Sequence, residues 1–416
     1  TADPQCSTVL VSSINGVGPT QNDRLEGFRI TGGVGTFRDF ANPIPDFVVG
    51  GGVFIFGASS PTITSNEIVG NHLGHPDALI WYGGGIYVHS TRPNEPGTGF
   101  DPAAPVITNN LIESNTNNPP GGSSSSKATY AIGGGMYVGY HSHPVIDGNT
   151  FRSNFAGDSA AANQIAAGGA IAIYSLSDLS DYPRITRTII TGNNGTDLGG
   201  GIAVGPRDPG SGFIPSDALI ESNVIEYNGA GEGGGVQINT SLARIRNNPV
   251  FDNGSTYGGG ISVGTTEIAP GDPTITNNII AFNAAGTAGG GLYVYQSTPV
   301  VTYNDLFGNT PDNVGGDLAD VDVIGVDGNV GVDPMFRDVN RPTLDLRLQA
   351  GSPVIDAGEN TTVETTDADG EPRIVDGDGD TIATVDLGAY EFAAVFDGDG
   401  IPDPMDPDDD NDGVDD

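Results

Sequence analysis

Short runs of alternating apolar and polar residues recur along most of the chain, and a polar turn follows each run. Thr274–Thr276 leads through two asparagines into Ile279–Ala281, and Leu292–Val294 repeats the alternation behind three glycines. A period of two with many β-branched residues predicts short β-strands. No stretch keeps the 3.6-residue periodicity of an amphipathic helix. The pattern therefore predicts an all-β protein.

Two signals alternate along the sequence at similar intervals. The first is a pair of asparagines five residues apart, with Thr188/Asn193 as a variant. The other pairs are Asn66/Asn71, Asn110/Asn115, Asn149/Asn154, Asn223/Asn228, Asn248/Asn253, Asn278/Asn283 and Asn304/Asn309. The second signal is a group of two or three glycines, which begins at Gly50, Gly83, Gly133, Gly168, Gly199, Gly233, Gly258 and Gly289. A repeat of this kind indicates a stack of similar units.

Closed coils of short strands, stacked on one another, give parallel sheets around a core of Ile, Val and Leu. Asparagine suits the corners because it tolerates left-handed backbone and bonds neighbouring amides. We therefore expect a hydrogen-bonded ladder along the stack at Asn66, Asn110, Asn149, Asn223, Asn248, Asn278 and Asn304. The tyrosines after the glycines (Tyr87, Tyr137, Tyr293) predict a stacked aromatic ladder, with a binding platform as the alternative.

Several phrases resemble the right-handed parallel β-helix repeat proteins of bacteria. They are Ile275–Asn283, Gly289–Val294, the opening Arg24–Gly33, and Gly351–Gly358 with Asp386–Glu391, which is similar to that family's C-terminal closing segment. The resemblance implies a right-handed parallel β-helix of about eight or more coils over residues 1–350. It also implies a closing segment at 351–392 and a separate tail at 393–416. It says little about function, since this scaffold carries lyases, hydrolases, epimerases, adhesins and structural proteins.

The tail places carboxylates at alternate positions around glycine and proline, and it resembles thrombospondin type 3 repeats. Calcium takes six to eight oxygen ligands, and such spacing wraps consecutive side chains around one ion. The expected ligands are Asp397, Asp399, Asp403, Asp406, Asp408, Asp410, Asp412 and Asp416. The alternative is a disordered acidic tail. A second acidic stretch, Asp367–Gly370 with Asp376–Asp380, is either another calcium site or two polar turns.

The amino-acid composition limits the classes of molecule that the chain is expected to bind. The formal net charge is −38, and Lys127 is the single lysine. This charge disfavours nucleic acid and repels polyanionic substrates. Cys6 is the single cysteine, so no disulfide forms within the chain. No apolar run is long enough to span a membrane. Thr1 does not begin a signal peptide, so we expect an extracellular or cell-surface protein whose leader was removed.

Candidate catalytic residues are few. A lone lysine in a serine-rich loop makes a lysine-base lyase a poor hypothesis. Stacked coils place equivalent loops side by side, so His89, Arg92, His141 and Arg184 are expected to line one groove on the early coils. The alternative is that these are ordinary polar loops. His141 and His143 share one face of a strand, but a metal site there lacks a visible third ligand.

Two functions of different classes follow. The first is an extracellular, non-enzymatic, calcium-stabilised surface or matrix protein: an adhesin, a spacer or a fibre subunit that associates end to end, in contact with a glycan or a cell-surface matrix. The alternative is a secreted polysaccharide-active enzyme (lyase, hydrolase or epimerase) with a cleft on the early coils. Its hydrolase form needs clustered carboxylates on neighbouring coils, which no local phrase marks. The scarcity of catalytic residues favours the first.

Overall fold

The structure is a computed structural model. It describes residues 6–13, 17–38, 47–73, 78, 80–90, 102–117, 129–157, 164–174, 181–205, 216–239, 241–264, 272–361 and 363–393. Within these ranges the chain forms strands and turns without a helix, which confirms the all-β prediction.

Four long sheets run along the stack, and each coil passes through sheets 1, 2, 3 and 4 in that order. Sheet 1 consists of ten parallel strands: Val9–Ser12, Val53–Phe56, Ile86–His89, Met136–Val138, Ile171–Ile173, Ile202–Val204, Val236–Ile238, Ile261–Val263, Leu292–Val294 and Val314–Gly316. Sheet 2 consists of nine: Arg24–Glu26, Thr62–Thr64, Val106–Thr108, Val145–Asp147, Arg184–Thr186, Leu219–Glu221, Arg244–Arg246, Thr274–Thr276 and Val300–Thr302.

Sheets 3 and 4 complete each coil. Sheet 3 consists of Arg29–Ile30, Glu67–Val69, Leu111–Glu113, Thr150–Arg152, Ile189–Thr191, Val224–Glu226, Pro249–Phe251, Ile279–Ala281 and Asp305–Phe307. Sheet 4 consists of Thr36–Arg38, Phe47–Val49, His72–Leu73, Ile80–Tyr82, Thr116–Asn117, Thr129–Ile132, Phe155–Ala156, Gln164–Ala167, Asn194–Leu198, Gly229–Glu232, Gly254–Tyr257 and Ala284–Ala288. In sheet 4, Thr36–Arg38 pairs antiparallel with Phe47–Val49, and the other pairings in these four sheets are parallel. Phe336–Asp338 and Asp345–Leu348 form a separate antiparallel pair.

The stacking register confirms a parallel β-helix with one long core. Successive strands of sheet 2 place an inward isoleucine at the same position in six coils: Ile63, Ile107, Ile146, Ile185, Ile220 and Ile245. Each of these side chains is fully buried in the main core cluster. At a strand spacing of about 4.8 Å, the ten strands of sheet 1 span about 43 Å.

Two columns of asparagines run along the corners that flank sheet 3. Asn110 is a typical member: its backbone N–H and its Nδ2 both donate to Asn149 Oδ1 of the next coil (2.9 and 3.0 Å), and Nδ2 also donates to Ile63 O of the preceding coil (2.9 Å). One side chain therefore joins three coils. The columns extend beyond the five-residue pairs to Asn329 and Asn313.

The expectation that the ladder asparagines adopt left-handed backbone is wrong. The left-handed residue is the one before each of them, for example Ser65 (φ 54°), Ser114 (φ 53°) and Tyr227 (φ 55°). The asparagine itself is needed for its amide, which bonds along the stack. At each corner, one residue thus adopts the left-handed backbone and the next residue supplies the amide that bonds along the stack.

The glycine groups form the corner between sheet 4 and sheet 1. Gly258 has φ +64°, and a Cβ on Gly259 would lie 2.6 Å from the backbone oxygens of both Ala284 and Gly290 in the next coil. Glycine is required here because neighbouring coils approach too closely for any side chain.

The C-terminal part of the chain lies along the side of the stack. Leu318 and Val323 pack into the main core beyond the last strands. Residues 330–361 and 363–393, here called the lateral segment, then cover the outer face of sheet 3. Its apolar side chains form a second core with that face, which includes Val224, Phe251, Ile279, Phe336, Leu346, Leu348, Val354, Ile355 and Leu387. The segment that resembles a closing segment therefore clasps several coils laterally.

Candidate functional sites

The outward side chains of sheets 1 and 4 pack against each other on either side of the glycine corner. We call this surface the glycine-corner face. Sheet 1 contributes one column of residues in register: Phe54, Tyr87, Tyr137, Ala172, Ala203, Gln237, Ser262 and Tyr293. Sheet 4 contributes the facing column: Val49, Tyr82, Ile132, Ala167, Leu198, Glu232, Tyr257 and Ala288. Over the early coils the two columns form one apolar cluster.

The early half of this face is aromatic. Tyr87 stacks between Phe54 and Tyr137, with ring centroids 5.3 Å apart on both sides. This confirms the predicted ladder for Tyr87 and Tyr137. Tyr293 lies in the same column but five coils beyond Tyr137, with Ala172, Ala203, Gln237 and Ser262 between them, and it packs against Tyr257 (5.1 Å) instead.

His89 belongs to the same aromatic packing. Its ring stacks on Tyr87 (5.7 Å) and Tyr140 (6.4 Å), and the residue is 8% exposed. His141 packs edge-on against Tyr140 at 4.6 Å. The structure thus brings two of the candidate catalytic residues against one tyrosine. Both rings are occupied by packing, which is an ordinary structural use of histidine.

Arg184 lies at the start of a strand in sheet 2, and its guanidinium pairs with the carboxylate of Glu364 in the lateral segment. Arg187 in the same coil pairs with Asp147 at 2.7 Å. Arg184 therefore helps to hold the lateral segment against sheet 2. No pattern in the sequence places that segment beside Arg184. Arg92 lies outside the described residues, and a catalytic role for the four candidates stays a prediction.

His143 is buried beside sheet 2. Its Nδ1 lies 3.3 Å from Asp181 Oδ2, in a contact without hydrogen-bond geometry, and neither ring nitrogen has a hydrogen-bond partner. Within the described ranges, the histidines do not belong to any group of three or more potential metal ligands. The His141/His143 metal hypothesis gains no third ligand there.

The late half of the glycine-corner face is polar. Gln237 and Ser262 replace the aromatic residues in the sheet 1 column, and Glu232 and Tyr257 face them from sheet 4. Burial raises the pKa of Asp197, and burial together with the charge of Asp197 raises the pKa of Glu232. No local motif in the sequence marks this group, because its members come from three different coils.

The predicted calcium ligands of the tail, Asp397 to Asp416, lie outside the described residues. The acidic stretch before it does have a defined geometry. Carboxylate oxygens of Asp356, Asp376 and Asp378 lie within 4.8 Å of one another. Asp376 and Asp378 stand out in the sequence as part of the second acidic stretch, but Asp356 is twenty residues earlier and no spacing rule connects it to them.

Backbone amides hold the three carboxylates in place. Asp356 Oδ2 accepts hydrogen bonds from the N–H groups of Gly377 and Asp378, both at 2.9 Å. Asp376 accepts from Gly379 and from Thr381, both at 2.8 Å. Burial raises the pKa of Asp356, and the nearby charge of Asp378 raises it further. Clustered carboxylates with these properties match the oxygen ligands that calcium prefers.

A buried ionic network supports this loop from beneath. The N–H of Asp356 donates to Asp386 Oδ1 at 2.8 Å, and Arg373 pairs with Glu391 at 2.5 Å, with both side chains at most 3% exposed. Arg373 also donates to Ser222 Oγ on the coil stack at 2.9 Å. Burial raises the pKa values of Asp386 and Glu391, and Arg373 opposes the rise for Glu391. The network fixes the acidic loop to the coils.

Comparison with protein-family models and with curated proteins finds no match for this chain. Among the described residues, no helix is long and apolar enough to cross a membrane.

Proposed function

We propose that this chain is a non-enzymatic, calcium-stabilised β-helix protein of a bacterial surface or extracellular matrix, acting as an adhesin, a spacer or a self-assembling fibre subunit. The observation that carries the proposal is the convergence of Asp356, Asp376 and Asp378 in a segment that clasps several coils. A cation bound there links two parts of the lateral segment. It thereby strengthens the attachment of that segment to the stack.

Calcium would be held by the carboxylates of Asp356, Asp376 and Asp378, with backbone carbonyls or water completing the shell. The two positive charges of the ion would offset most of the repulsion among three clustered carboxylates, in a chain whose net charge is −38. The thrombospondin type 3-like tail supplies further carboxylates of the same spacing. Extracellular calcium is abundant enough to fill weak sites of this kind, which supports an extracellular location.

The coil stack suits a mechanical role. The hydrogen-bonded columns keep their register along the stack, with Thr188 in place of an asparagine in one coil, and the apolar core runs beside them. Within the described strands, Val9–Ser12 and Val314–Gly316 each have one neighbour in sheet 1. An edge of this kind can pair with another copy, and head-to-tail pairing that does not close produces a filament. End-to-end association is therefore part of the proposal.

The enzymatic alternative has less support. His89 is stacked among aromatic rings, and Arg184 pairs with Glu364, so neither is poised over an open cleft on the early coils. We expect the purified protein to degrade polysaccharides no faster than the background rate. We expect the same rate for the His89→Ala and His141→Ala variants. Activity that falls with either substitution would restore the enzymatic reading.

Thermal unfolding of the full chain in calcium and in a chelator tests the calcium site. Bound calcium raises the unfolding midpoint because it binds the folded state preferentially. We expect Asp376→Asn to reduce this rise, whereas Asp322→Asn, which removes one exposed carboxylate elsewhere, leaves it unchanged. An equal rise in both variants would remove the loop from the calcium proposal and leave the tail as the remaining site.

Electron microscopy of the purified protein in calcium and in chelator tests the assembly. Filaments or end-to-end rods are the expected result. Single rods of about 43 Å, the length of ten stacked strands, under both conditions would contradict self-assembly.

A further inference from the structure

Three buried polar atoms on the late half of the glycine-corner face lack a hydrogen-bond partner. They are Gln237 Oε1, Asn239 Nδ2 and Ser262 Oγ. Gln237 and Ser262 are fully buried and Asn239 is 1% exposed, so a large ligand from solution does not reach them. An unpaired buried polar atom costs free energy, and native proteins contain few of them. Three together, closed off from solvent, indicate a role inside the fold.

The hydroxyl of Ser262 and the side-chain amide of Gln237 lie side by side in neighbouring coils. The two residues are paired in register between parallel strands of sheet 1. Val236 and Ile261, which precede them along the strands, belong to the main core, so alternation places both polar side chains on the outer face of the sheet. The hydroxyl and the amide therefore share one buried layer of the glycine-corner face.

The spacing of the strands matches a covalent link between these two side chains. Neighbouring strands lie about 4.8 Å apart. A link through Ser262 Oγ and Gln237 Cδ joins the two Cβ atoms by four bonds, which span about 5 Å when extended. The Gln237 amide also leans toward the coil of Ser262, because its Nε2 donates to the backbone oxygen of Gly264 at 3.0 Å. A bond between Oγ and Cδ therefore fits the existing spacing of the coils.

Hydrogen bonds fix the Gln237 amide in one orientation. Nε2 donates to Gly264 O at 3.0 Å and to Asn239 Oδ1 at 2.8 Å. Because the Gly264 carbonyl only accepts, the nitrogen of Gln237 must face it, and the oxygen of Asn239 must then face that nitrogen. Asn239 Nδ2 is left as a donor without a partner beside the Gln237 amide. A donor of this kind stabilises negative charge that develops on a carbonyl oxygen such as Oε1.

Glu232 supplies a proton acceptor on this part of the face. It lies in the facing column, in the same coil as Gln237. Burial raises the pKa of Tyr293, and the charges of Tyr257 and Glu232 raise it further, so the Glu232 carboxylate lies near the residue that follows Ser262 in the sheet 1 column. Burial also raises the pKa of Glu232, which makes its carboxylate a stronger base.

We propose that Ser262 and Gln237 react with each other to form an ester that joins two neighbouring coils. Ser262 Oγ adds to Gln237 Cδ while Glu232 accepts the hydroxyl proton. The Cδ–Nε2 bond then breaks, and the nitrogen takes up that proton and leaves as ammonia. One C–O bond replaces one C–N bond, so the step needs no oxidant or reductant. The fixed position of the two groups gives the entropic advantage of an intramolecular reaction, and the escape of ammonia draws the reaction toward the ester.

The inference goes beyond the proposed function and is independent of calcium. An ester between residues 237 and 262 closes a loop of the chain, which limits the freedom of the unfolded state and holds two coils together under load. Its formation uses none of the residues of the acidic loop. The ester is therefore expected both in calcium and in chelator, and either proposal can fail while the other stands.

The mass of the intact full chain tests the ester. After purification and incubation at mildly alkaline pH, we expect the parent to be lighter than its sequence by the mass of one ammonia. Proteolysis should yield one cross-linked species that contains both Gln237 and Ser262. Ser262→Ala and Gln237→Met should each have the full sequence mass. Glu232→Gln should form the ester at least about a hundredfold more slowly, which is the usual contribution of a general base.

Ser59→Ala is the matched control. Ser59 is also fully buried, but its hydroxyl donates to Phe56 O at 2.8 Å, so this variant should still lose ammonia. A parent chain with the full sequence mass overturns the proposal. A loss of ammonia that persists in Ser262→Ala overturns it as well, because it would come from another reaction, such as a succinimide at Asn228–Gly229. The peptide map of the parent decides the question even where a variant fails to fold. An unchanged rate in Glu232→Gln would refute the proton transfer to that residue.

Discussion

Asp305 is a buried carboxyl group whose ionisation opposes folding. It lies in the last strand of sheet 3, fully buried, with Oδ1 accepting the N–H of Val332 at 2.9 Å and Oδ2 unpaired. Burial, with a further contribution from Asp333, raises the pKa of Asp305 from 3.8 to about 7. Asparagine has the same shape as the protonated acid and keeps the bond to Val332. Asp305→Asn therefore removes the charge without removing the contact.

The direction and size of the change in folding stability follow from the difference in proton binding between the folded and the unfolded chain. Between about pH 4 and about pH 7 the folded chain binds a proton at Asp305 that the unfolded chain does not. The proton bound at Asp305 therefore stabilises the folded protein fully below the pKa of this group in the unfolded chain. That stabilisation is lost as the pH rises through the pKa of Asp305 in the folded chain. The separation of about 3 pH units corresponds to about 4 kcal/mol, which is the ceiling on the gain from Asp305→Asn at pH 8. Near pH 4 the two proteins should be equally stable.

Urea unfolding midpoints and hydrogen exchange of the Val332 amide, measured for both proteins across this pH range, provide the assay. Exchange reports local opening, which is the appropriate quantity for a repeat protein that need not unfold in one step. Asp338→Asn is the control of opposite sign, because hydrogen bonds from Thr343 and Asn340 lower the pKa of Asp338. The same advantage of Asp305→Asn at pH 4.5 and pH 8 would refute the reasoning.

Three further substitutions test the packing. Asn228→Ala removes the side-chain hydrogen bonds that Nδ2 donates to Ile190 O and Asn253 Oδ1 and those that Oδ1 accepts from Asn193, and it should cost about 3 kcal/mol in urea unfolding. A cost below about 1 kcal/mol would contradict the ladder's role. Gly259→Ala should lower the thermal midpoint or prevent folding, because its Cβ would meet two backbone oxygens at 2.6 Å. Gly286→Ala should be tolerated, because the nearest atom to its Cβ would be Ser255 O at 3.8 Å, an ordinary contact distance. Equal midpoints for the two variants would argue against close coil contact. Arg373→Met should destabilise by about 3–5 kcal/mol at pH 8, because it leaves Glu391 buried without its partner. The loss should be smaller at pH 5, where raised pKa values keep the carboxylates protonated; a pH-independent loss would contradict this account.

The candidate sites show where sequence reasoning reached its limit. The spacing of Asp376 and Asp378 predicted either a calcium site or two polar turns, and Asp356 joins them only because the lateral segment folds back on itself. Gln237 and Ser262 look like ordinary strand residues, and their unpaired atoms become visible only when coils are stacked in register. Arg184 looked available for catalysis, yet the lateral segment brings Glu364 to it from far along the chain.

The sequence by itself determined the parallel β-helix, because its corner glycines, spaced asparagines and inward isoleucines repeat locally and each coil bonds mainly to its neighbours. The local pattern that forms one coil therefore forms the others as well. The tertiary structure alone decided where the lateral segment lies and which polar groups meet on the glycine-corner face. Those contacts join residues far apart in sequence, and their partners depend on packing geometry that no local pattern encodes.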